Sequence, residues 1–243
     1  MSDRRLERRQ QTIDEVVATA LEVMADAGAA GLSLGEVAKR MGMRTPSLYG
    51  YFESKAALCD EIFARGWSEL AQLMAPFHEE FGQGSAPEDL LRRHLRAFVG
   101  WALEHRAQAE LMFWRPIPGW DPAAPAYAAA VDVLEQAHEA LRGLQQSGRL
   151  RSDVSAEEMG RVLTILTTGV ISQQLSNEPG VPIARGSYAR ELDRLAGMFL
   201  REFGTDTGRR PDPAARRRAA TTRPGRKPER TPERGPERGK VQR

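Results

Sequence analysis

Residues 32–55 read LSLGEVAKRMGMRTPSLYGYFESK, which predicts two short helices separated by a glycine turn. Ser33 and Glu36 have the spacing of a capping box, in which the hydroxyl accepts from the N3 amide and the carboxylate reaches back to the cap amide. Gly42 stands where the end of a helix needs a left-handed backbone. The apolar stripe between these signals has helical spacing and consists of Leu34, Val37, Ala38 and Met41.

The second helix of this stretch is predicted to begin with Thr45 as the cap and Pro46 in the first turn. Leu48 and Phe52 lie four residues apart and can pack, with Met43, against the first helix. The other side chains suit a helix in the major groove of DNA, where they would contact phosphates and base edges: Arg44, Thr45, Ser47, Tyr49, Gly50 and Tyr51. The pattern alone permits either a helix-turn-helix or an ordinary helical hairpin.

An amphipathic helix before this stretch supplies the third wall of the same small core. It is predicted to stop near Ala27 and Gly28, and its apolar stripe consists of Ile13, Val16, Val17, Ala20, Leu21 and Met24. Residues 1–11 form a basic arm that carries Arg4, Arg5, Arg8 and Arg9. Two interpretations of the arm remain open. It either contacts DNA, at phosphates or in a minor groove, or it is a solvated and frayed terminus.

The composition, with 41% hydrophobic and 28% charged residues, is typical of a soluble globular protein. The single cysteine, Cys59, excludes an intramolecular disulfide and leaves two interpretations, a buried small hydrophobe and a redox sensor. No apolar run has the length of a membrane span, and the charged N-terminus is unlike a signal peptide. The expected location is therefore the cytoplasm of a bacterium, with no membrane partner.

The charges are divided unevenly along the chain. Residues 209–243 hold 13 Lys and Arg against 4 Asp and Glu, whereas the other 208 residues hold 22 basic and 29 acidic side chains. A DNA-binding surface on this acidic body must therefore be a local patch. Residues 205–243 are predicted to be a disordered basic tail, which either tethers the protein to DNA non-specifically or only solubilises it.

Six further helices are predicted after the first three, and no strand. The first runs from about Lys55 towards Phe81 past Pro76, with Leu58, Ile62, Phe63, Leu70 and Leu73 on its buried side. The next follows a break at residues 82–85 and a capping box of Ser85 and Glu88, and it reaches about Glu104. The other four helices span about 106–114, 122–146, 156–176 and 187–203. The 122–146 helix is predicted to have Asp121 as its cap and to end at Gly148, and the 156–176 helix to begin with a capping box of Ser155 and Glu158.

Residues 13–58 resemble the tetracycline-repressor (TetR) family of bacterial regulators. The resemblance lies in Ser33-Leu34, Val37-Ala38, Gly42-Met43 and Ser47-Leu48-Tyr49, and it is densest in LYGYFESKAAL at residues 48–58. It implies an all-α fold with a three-helix DNA-binding domain at 12–58 and a helical regulatory and dimerisation domain at 59–204. The helix from Lys55 would then link the two.

The resemblance also implies residues for DNA contact. Base contacts are expected from Thr45, Pro46, Ser47 and Tyr49, and mainly phosphate contacts from Ser33, Tyr51 and Lys55. Gly50 departs from the family, which usually has a larger residue there, so a backbone-anchoring contact is expected to be lost. Gly35 leaves the front of the first motif helix bare. Arg44 is expected to compensate with a phosphate or guanine contact.

The regulatory half is expected to bind a small apolar or aromatic effector, because helical bundles often open an apolar cavity between helices. The candidate pocket residues are Trp101, His105, Met112, Phe113, Trp120 and Tyr127. The same residue types also suit a plain core. The Pro- and Trp-rich stretch 115–125 is either a lid or a tight connection.

The expected assembly is a homodimer, because one short recognition helix offers few base contacts and two copies can read a pseudo-palindromic operator in double-stranded DNA. By the family's pattern the last two helices, 156–177 and 187–203, form the interface. Its candidate residues are Leu166, Val170, Gln173, Leu195 and Phe199. The expected activity is repression that an effector relieves.

An enzyme is not expected. Glu135 and His138 form one Glu-x-x-His half-motif of a di-iron bundle, and no second copy occurs in the sequence. No glycine-rich phosphate loop, Gly-x-Ser-x-Gly or His-Glu-x-x-His motif is present, so no metal or cofactor is predicted. The alternative function is a helical sensing or protein-interaction module that no longer binds DNA specifically.

Overall fold

The computed structural model describes residues 3–82 and 87–205, which fold into nine α-helices without a β-strand. The predicted all-α fold is confirmed. Two short 3-10 turns, Ala29–Gly31 and Ala189–Glu191, precede α2 and α9. The helices are α1 (Asp3–Ala27), α2 (Leu34–Arg40), α3 (Thr45–Leu48), α4 (Lys55–Gly82), α5 (Pro87–Glu104), α6 (Arg106–Trp114), α7 (Ala124–Gln146), α8 (Ala156–Asn177) and α9 (Leu192–Phe203).

The first three helices enclose a small apolar core. Its fully or almost fully buried side chains come from all three helices and include Val16, Ala20, Val23, Met24, Val37, Ala38 and Leu48. Burial of one Val, Leu or Met side chain contributes about 1.5–3 kcal/mol, whereas an exposed ion pair contributes about 0–1 kcal/mol. The apolar core therefore holds these helices together more strongly than surface pairs such as Arg40 with Asp26.

Gly42 ends α2 in the predicted left-handed conformation, with φ of 65°. The amide of Met43 donates to the carbonyl of Ala38 at 2.8 Å, and the amide of Gly42 donates to Lys39 at 3.1 Å. These are the two bonds of a Schellman motif. The motif turns the chain sharply between α2 and α3, so α3 crosses α2 with Leu48 buried between them.

Several predicted helix starts differ from the structure. The Ser33 side chain makes no capping bond, and Glu36 instead pairs with Arg40 and Lys39. The cap of α3 is Arg44, whose backbone is extended, and Thr45 is already the first helical residue.

Helix α1 begins at Asp3, so the described part of the predicted arm is helical.

Helix α7 begins at Ala124 rather than at Pro122. The amide of Ala123 donates to the Asp60 carboxylate at 3.2 Å, which holds residue 123 in an extended conformation against α4.

The capping bond from the Glu158 amide to Ser155 Oγ is present at 3.1 Å. Leu73, expected on the buried side of α4, is 38% exposed because Leu70 and Met74 fill that face.

The remaining helices build a bundle around α4. Ser54 Oγ caps α4 by accepting from the Ala57 amide at 3.0 Å, and the helix continues through Pro76 to Gly82. Helices α5, α6 and α7 pack on α4, while α8 and α9 pack on α5. Ser85 of the predicted second capping box and residues 206–243 of the predicted tail lie outside the described residues. None of the helices in the described part combines the length and apolarity that a membrane span requires.

Candidate nucleic-acid interface and internal cavity

The outer face of α3 and the turn after it are exposed and chemically varied. Leu48 and Phe52 point into the core, and the Tyr51 amide donates to the Leu48 carbonyl at 2.9 Å, so the helical path continues past Leu48. Tyr49 is 52% exposed, and its side chain makes no hydrogen bond within the described residues. The predicted contacts all reach the surface: Ser33, Arg44, Pro46, Ser47 and Tyr49 are exposed, and Thr45, Tyr51 and Lys55 are half-buried.

The cations near this face differ in their availability. Arg40 pairs with Asp26 at 2.8 Å and with Glu36 at 3.3 Å, so its charge is already compensated. Arg44 is exposed and has no ion pair among the residues that the structure describes. An unpaired guanidinium beside α3 is suited to a phosphate or to the acceptor edge of guanine.

Lys55 has a structural contact in addition to its predicted role. Its Nζ donates to the carbonyl of Ala30 at 3.1 Å and so ties the first residue of α4 to the turn between α1 and α2. An ammonium group has three donors, so this bond leaves others for a phosphate.

The N-terminal half of α1 reaches the turn that follows α3. Arg9 Nη1 donates to the carbonyl of Gly50 at 3.1 Å, and the guanidinium lies 5.2 Å from the centre of the Tyr51 ring. This contact holds the backbone at the position where Gly50 was expected to lose an anchor. The contact was not predicted, because Arg9 and Gly50 are 41 positions apart and no local sequence pattern indicates a contact at that separation.

A cavity of about 720 Å³ lies inside the bundle, between helices α4 to α9. Its walls are predominantly apolar. Helix α4 contributes Phe63, Trp67, His78 and Phe81, and α7 contributes a stripe from Tyr127 to Leu144. Val131, Leu134 and Ile165 line the cavity but are 49%, 47% and 69% exposed, so it reaches the surface between α7 and α8.

Three of the six predicted pocket residues line this cavity, namely Met112, Phe113 and Tyr127. Trp101 and His105 do not line it, and their rings stack on each other with centres 4.9 Å apart. Trp120 is buried outside the cavity wall, where its Nε1 donates to Asp60 at 3.1 Å. Because Asp60 also binds the Ala123 amide, stretch 115–125 is a tight connection.

Two histidines of the cavity wall were missed by the sequence analysis, although α4 and α5 were both predicted as helices. His78 and His94 have ring centres 5.6 Å apart. Burial lowers the pKa of His94 to about 3, with a smaller contribution from His78, and burial also lowers the pKa of His78. Both imidazoles are therefore neutral at physiological pH. A single helical histidine in a sequence gives no signal for such a pair.

No metal site is formed by the described residues. The Glu135 carboxylate pairs with Arg142 and lies 3.7 Å from His138 Nδ1, while His138 itself is buried against Gly160. No group of three or more His, Cys, Asp or Glu side chains in residues 3–82 and 87–205 could hold a metal ion.

Two family descriptions match the chain in the regions just described. The pattern of "Bacterial regulatory proteins, tetR family" matches residues 16–62, and that of "Tetracyclin repressor-like, C-terminal domain" matches residues 91–199. The chain belongs to the TetR family. It is a transcriptional regulator of the DNA-binding, repressor-like type and not an enzyme.

Curated relatives agree with this assignment. An HTH-type transcriptional regulator of Mycobacterium tuberculosis is 28% identical over 159 residues, 64% of this chain and 68% of that protein. The class C tetracycline repressor protein of Escherichia coli is 27% identical over 168 residues, 68% of this chain and 67% of that protein.

Solved structures share the fold. The structure of SmeT, the repressor of the Stenotrophomonas maltophilia multidrug efflux pump SmeDEF, has a TM-score of 0.62 and 19% identity, and covers 92% of this chain and 99% of that one. The TetR family regulator PfmR of Thermus thermophilus has a TM-score of 0.60 and 20% identity, and covers 76% and 97% of the two chains.

Dimers are typical of the TetR family. Among the five predicted interface residues, Gln173 is exposed and Leu166 and Leu195 are half-buried. Val170 and Phe199 are buried inside the protomer, so they can support an interface only indirectly. The apolar side chains that α8 and α9 do expose are Ile165 and Met198, at 69% and 48%.

Proposed function

We propose that this protein is a homodimeric repressor that binds a pseudo-palindromic operator and releases it when a small apolar or aromatic effector occupies the internal cavity. The observation that carries the proposal is the course of α4. At its first residue, Lys55 binds the Ala30 carbonyl of the DNA-binding core, and further along Phe63 and Trp67 line the cavity. One helix therefore contacts both sites.

The DNA half of the proposal rests on the exposed face of α3. Pro46, Ser47 and Tyr49 lie on the outside, with Arg44 unpaired beside them. Helix α3 is only four residues long, so one copy reaches few base pairs. Two copies on half-sites about 34 Å apart, or a multiple of that distance, would supply the required specificity.

For the dimer, we propose that α8 and α9 of two copies form a four-helix interface. Ile165, Met198 and Gln173 would lie in contact with the partner, together with Leu166 and Leu195. Large exposed apolar side chains on adjacent helices favour this surface, because their burial removes apolar area from water.

For the coupling, the effector would act only through its preference for one of two arrangements of α4. Helix α6 provides a second connection, because it packs against both α1 and α4. Gln108 of α6 is buried and donates to the Ile62 carbonyl of α4 at 3.2 Å, while Met112 of α6 lines the cavity. An occupant that displaces Met112 would therefore act on the helix that contacts α1.

The repressor assignment has support from the similar proteins. The class C tetracycline repressor and SmeT are both named as repressors, and SmeT acts on a multidrug efflux pump. Apolar and aromatic effectors match the wall of the cavity, in which Phe63, Trp67 and Phe113 meet edge to face.

The test is a fluorescence anisotropy titration of the purified protein with the DNA upstream of its own gene, followed by footprinting. We expect sequence-specific binding of a dimer and two protected half-sites, with a scrambled fragment of the same length as the control. Equal affinity for both fragments by a folded protein would contradict the proposal. That result would favour the alternative, a helical sensing or interaction module without specific DNA binding.

A further inference from the structure

Helix α8 contributes a polar row to the wall of the cavity. Arg161, Thr164 and Thr168 are spaced by three and four residues, which places them on one face of the helix, and all three line the cavity. The cavity reaches the surface beside this row, where Leu134 of α7 and Ile165 of α8 are exposed. The wall therefore has polar side chains close to its opening.

Arg161 has no ion pair or side-chain hydrogen bond among the described residues, although Glu157 precedes it by four positions on the same helix. Acidic and basic side chains at that spacing commonly pair, as Glu61 and Arg65 do at 2.7 Å. Glu157 instead pairs with Arg142 of α7, also at 2.7 Å. The arginine of α7 therefore takes the carboxylate that would otherwise compensate the charge of Arg161.

Arg115 and His138, which also line the cavity, have partners within the protein. The Arg115 guanidinium pairs with Asp121 at 3.6 Å. His138 is buried, and its Nδ1 lies 3.7 Å from the Glu135 carboxylate. Among the cavity residues that the structure describes, Arg161 is therefore the one Lys, Arg, Asp or Glu side chain without an ion pair.

An unpaired guanidinium in the wall favours a guest that carries a carboxylate, because the two groups match in a planar geometry with two hydrogen bonds. Thr164 lies one turn further along the same face. Its hydroxyl donates to the Gly160 carbonyl at 3.0 Å, and it can turn to a guest because that carbonyl also has its helical amide partner. Glu157, one turn before Arg161, would repel a second negative charge, so a carboxylate fits better than a phosphate dianion.

The rest of the guest would lie on apolar surface along α7. His138 packs on Gly160, the residue before Arg161, and Tyr127 precedes His138 by eleven positions, which corresponds to about 16 Å along the helix axis. Val131 and Leu134 line the cavity between these two levels. The cavity can therefore take an elongated apolar body with its acidic group at Arg161.

Arg161 and the proposed dimer contacts use different faces of α8. Leu166 and Gln173 follow Arg161 by five and twelve positions, so they lie about 120–140° away from it around the helix. Ile165 lies between the two faces. A guest at Arg161 would therefore not have to displace the side chains of Leu166 and Gln173 from a partner.

We propose that Arg161 is the anchor for an amphiphilic effector that has one carboxylate and an elongated apolar body. The carboxylate would accept from the Arg161 guanidinium and the Thr164 hydroxyl, and the body would lie along Leu134 and Val131 towards Tyr127. This inference rests on the proposed function in that it takes the cavity as the effector site.

The test compares three head groups on one chain. The full-length protein without DNA is titrated at pH 8 with decanoate, decylamine and 1-decanol, and binding is followed by tryptophan fluorescence, to which Trp67 contributes from the cavity wall. We expect decanoate to bind at least about tenfold more tightly than decylamine, while 1-decanol measures the contribution of the chain. Equal affinities of the two ions, tighter binding of decylamine, or no binding of decanoate would overturn the proposal.

Two variants assign the preference to Arg161. Arg161→Gln is expected to weaken decanoate binding at least about fivefold and to leave 1-decanol binding almost unchanged. The variant should fold, because Arg161 is exposed and unpaired. Arg185→Gln is the matched control, since Arg185 is also exposed, has no side-chain partner among the described residues and does not line the cavity. Unchanged decanoate affinity in Arg161→Gln, or an equal loss in both variants, would contradict the anchor.

DNA titrations on the same preparations separate this inference from the proposed function. Specific operator binding without a preference for decanoate would reject the anchor and leave the repressor. A preference for decanoate without specific DNA binding would reject the repressor and leave the anchor.

Discussion

Arg9 and Gly50 are joined by a hydrogen bond from the guanidinium Nη1 to the backbone carbonyl, at 3.1 Å. The same guanidinium lies over the Tyr51 ring. Helix α1 thereby contacts the turn that follows α3. The bond reaches the backbone carbonyl of Gly50, which has no side chain of its own.

Replacement of Arg9 by Ala is expected to weaken operator affinity by about tenfold or less, because one hydrogen bond to an exposed carbonyl contributes about 0.5–1.5 kcal/mol. The free energy of unfolding should change little, since the pair is exposed. The measurement is anisotropy against salt concentration. A positioning role leaves the slope of log K against log salt unchanged, whereas loss of a phosphate contact would reduce it by about one.

Arg9→Lys is the matched control, because it keeps the charge and loses the planar guanidinium. We expect it to behave like Arg9→Ala if position is what matters. Full operator affinity of Arg9→Lys would show that the charge alone is needed.

Tyr49→Ala is expected to reduce operator affinity at least about fivefold, since a lost base-edge or phosphate contact costs about 1–3 kcal/mol. The Tyr49 side chain is half-exposed and makes no hydrogen bond within the described residues, so thermal stability should not fall. Tyr49→Phe separates the hydroxyl from the ring. Wild-type affinity of Tyr49→Ala in the same titration would show that α3 does not dock through this residue.

The local features of this fold were predictable from the sequence. The C-terminal ends of α5, α6 and α7 were predicted correctly, because the signals that end a helix lie within about one turn of its last residue. Gly148, which follows α7 with a φ of 69°, is an example. Capping was less predictable. Glu36 had the spacing to reach the amide of Ser33, but in the structure Arg40 and Lys39 compete for its carboxylate.

The cavity was only partly predictable, because its lining depends on how distant helices meet. Trp120 belongs to an irregular loop, whose side-chain directions follow no period, and its indole is held by Asp60 outside the cavity wall. His78 and His94 are sixteen positions apart and come together only where α4 and α5 pack. Composition indicated an aromatic pocket, whereas the contact between His78 and His94 could be found only from the structure.

The stability of the protein is expected to fall as the pH drops below about 6.5. Burial lowers the pKa of His94 to about 3, so His94 stays neutral in the folded state, and burial also lowers the pKa of His78. In the unfolded state both imidazoles take up protons near their ordinary value. The unfolded state therefore binds more protons over this range, so the free energy of unfolding rises with pH up to about 6.5. Urea titrations at pH 7.5, 6.5 and 5.5 measure this change in the free energy of unfolding.

His94→Phe removes one of these titrating groups and should flatten the pH dependence between pH 6.5 and 5.5. The carboxylates with lowered pKa values, such as Glu80 beside Arg93 and Asp193 beside Arg96, act only below their ordinary values near pH 4. They cannot produce the effect in this window. Identical slopes in the variant and the wild type would show that His94 is not the titrating group.

Cys59 is expected to be unreactive in the folded protein. Its side chain is fully buried between the helices, and burial raises the pKa of the thiol to about 11. Since the thiolate is the reactive form, labelling by a disulfide reagent at pH 8 should be slow and become rapid on addition of urea. Fast labelling without urea would contradict the interpretation as a buried small hydrophobe and revive that of a redox sensor.

Gly66→Ala is expected to destabilise the protein by about 1–3 kcal/mol, as overpacking of a filled core does. A methyl group at residue 66 would lie 2.3 Å from Met112 Sδ and 2.9 Å from the Gln108 side chain. Both neighbours are buried and Gln108 is held by its bond to the Ile62 carbonyl, so the added methyl must displace the Met112 and Gln108 side chains or move α6 away from α4. Denaturant titration measures the loss.

Gly143→Ala, in α7 with no atom within 4 Å of the added methyl, is the control and should gain up to about 1 kcal/mol. Equal stability of the two variants would mean that these neighbours make room at no cost, which would contradict tight packing between α4 and α6 at this position.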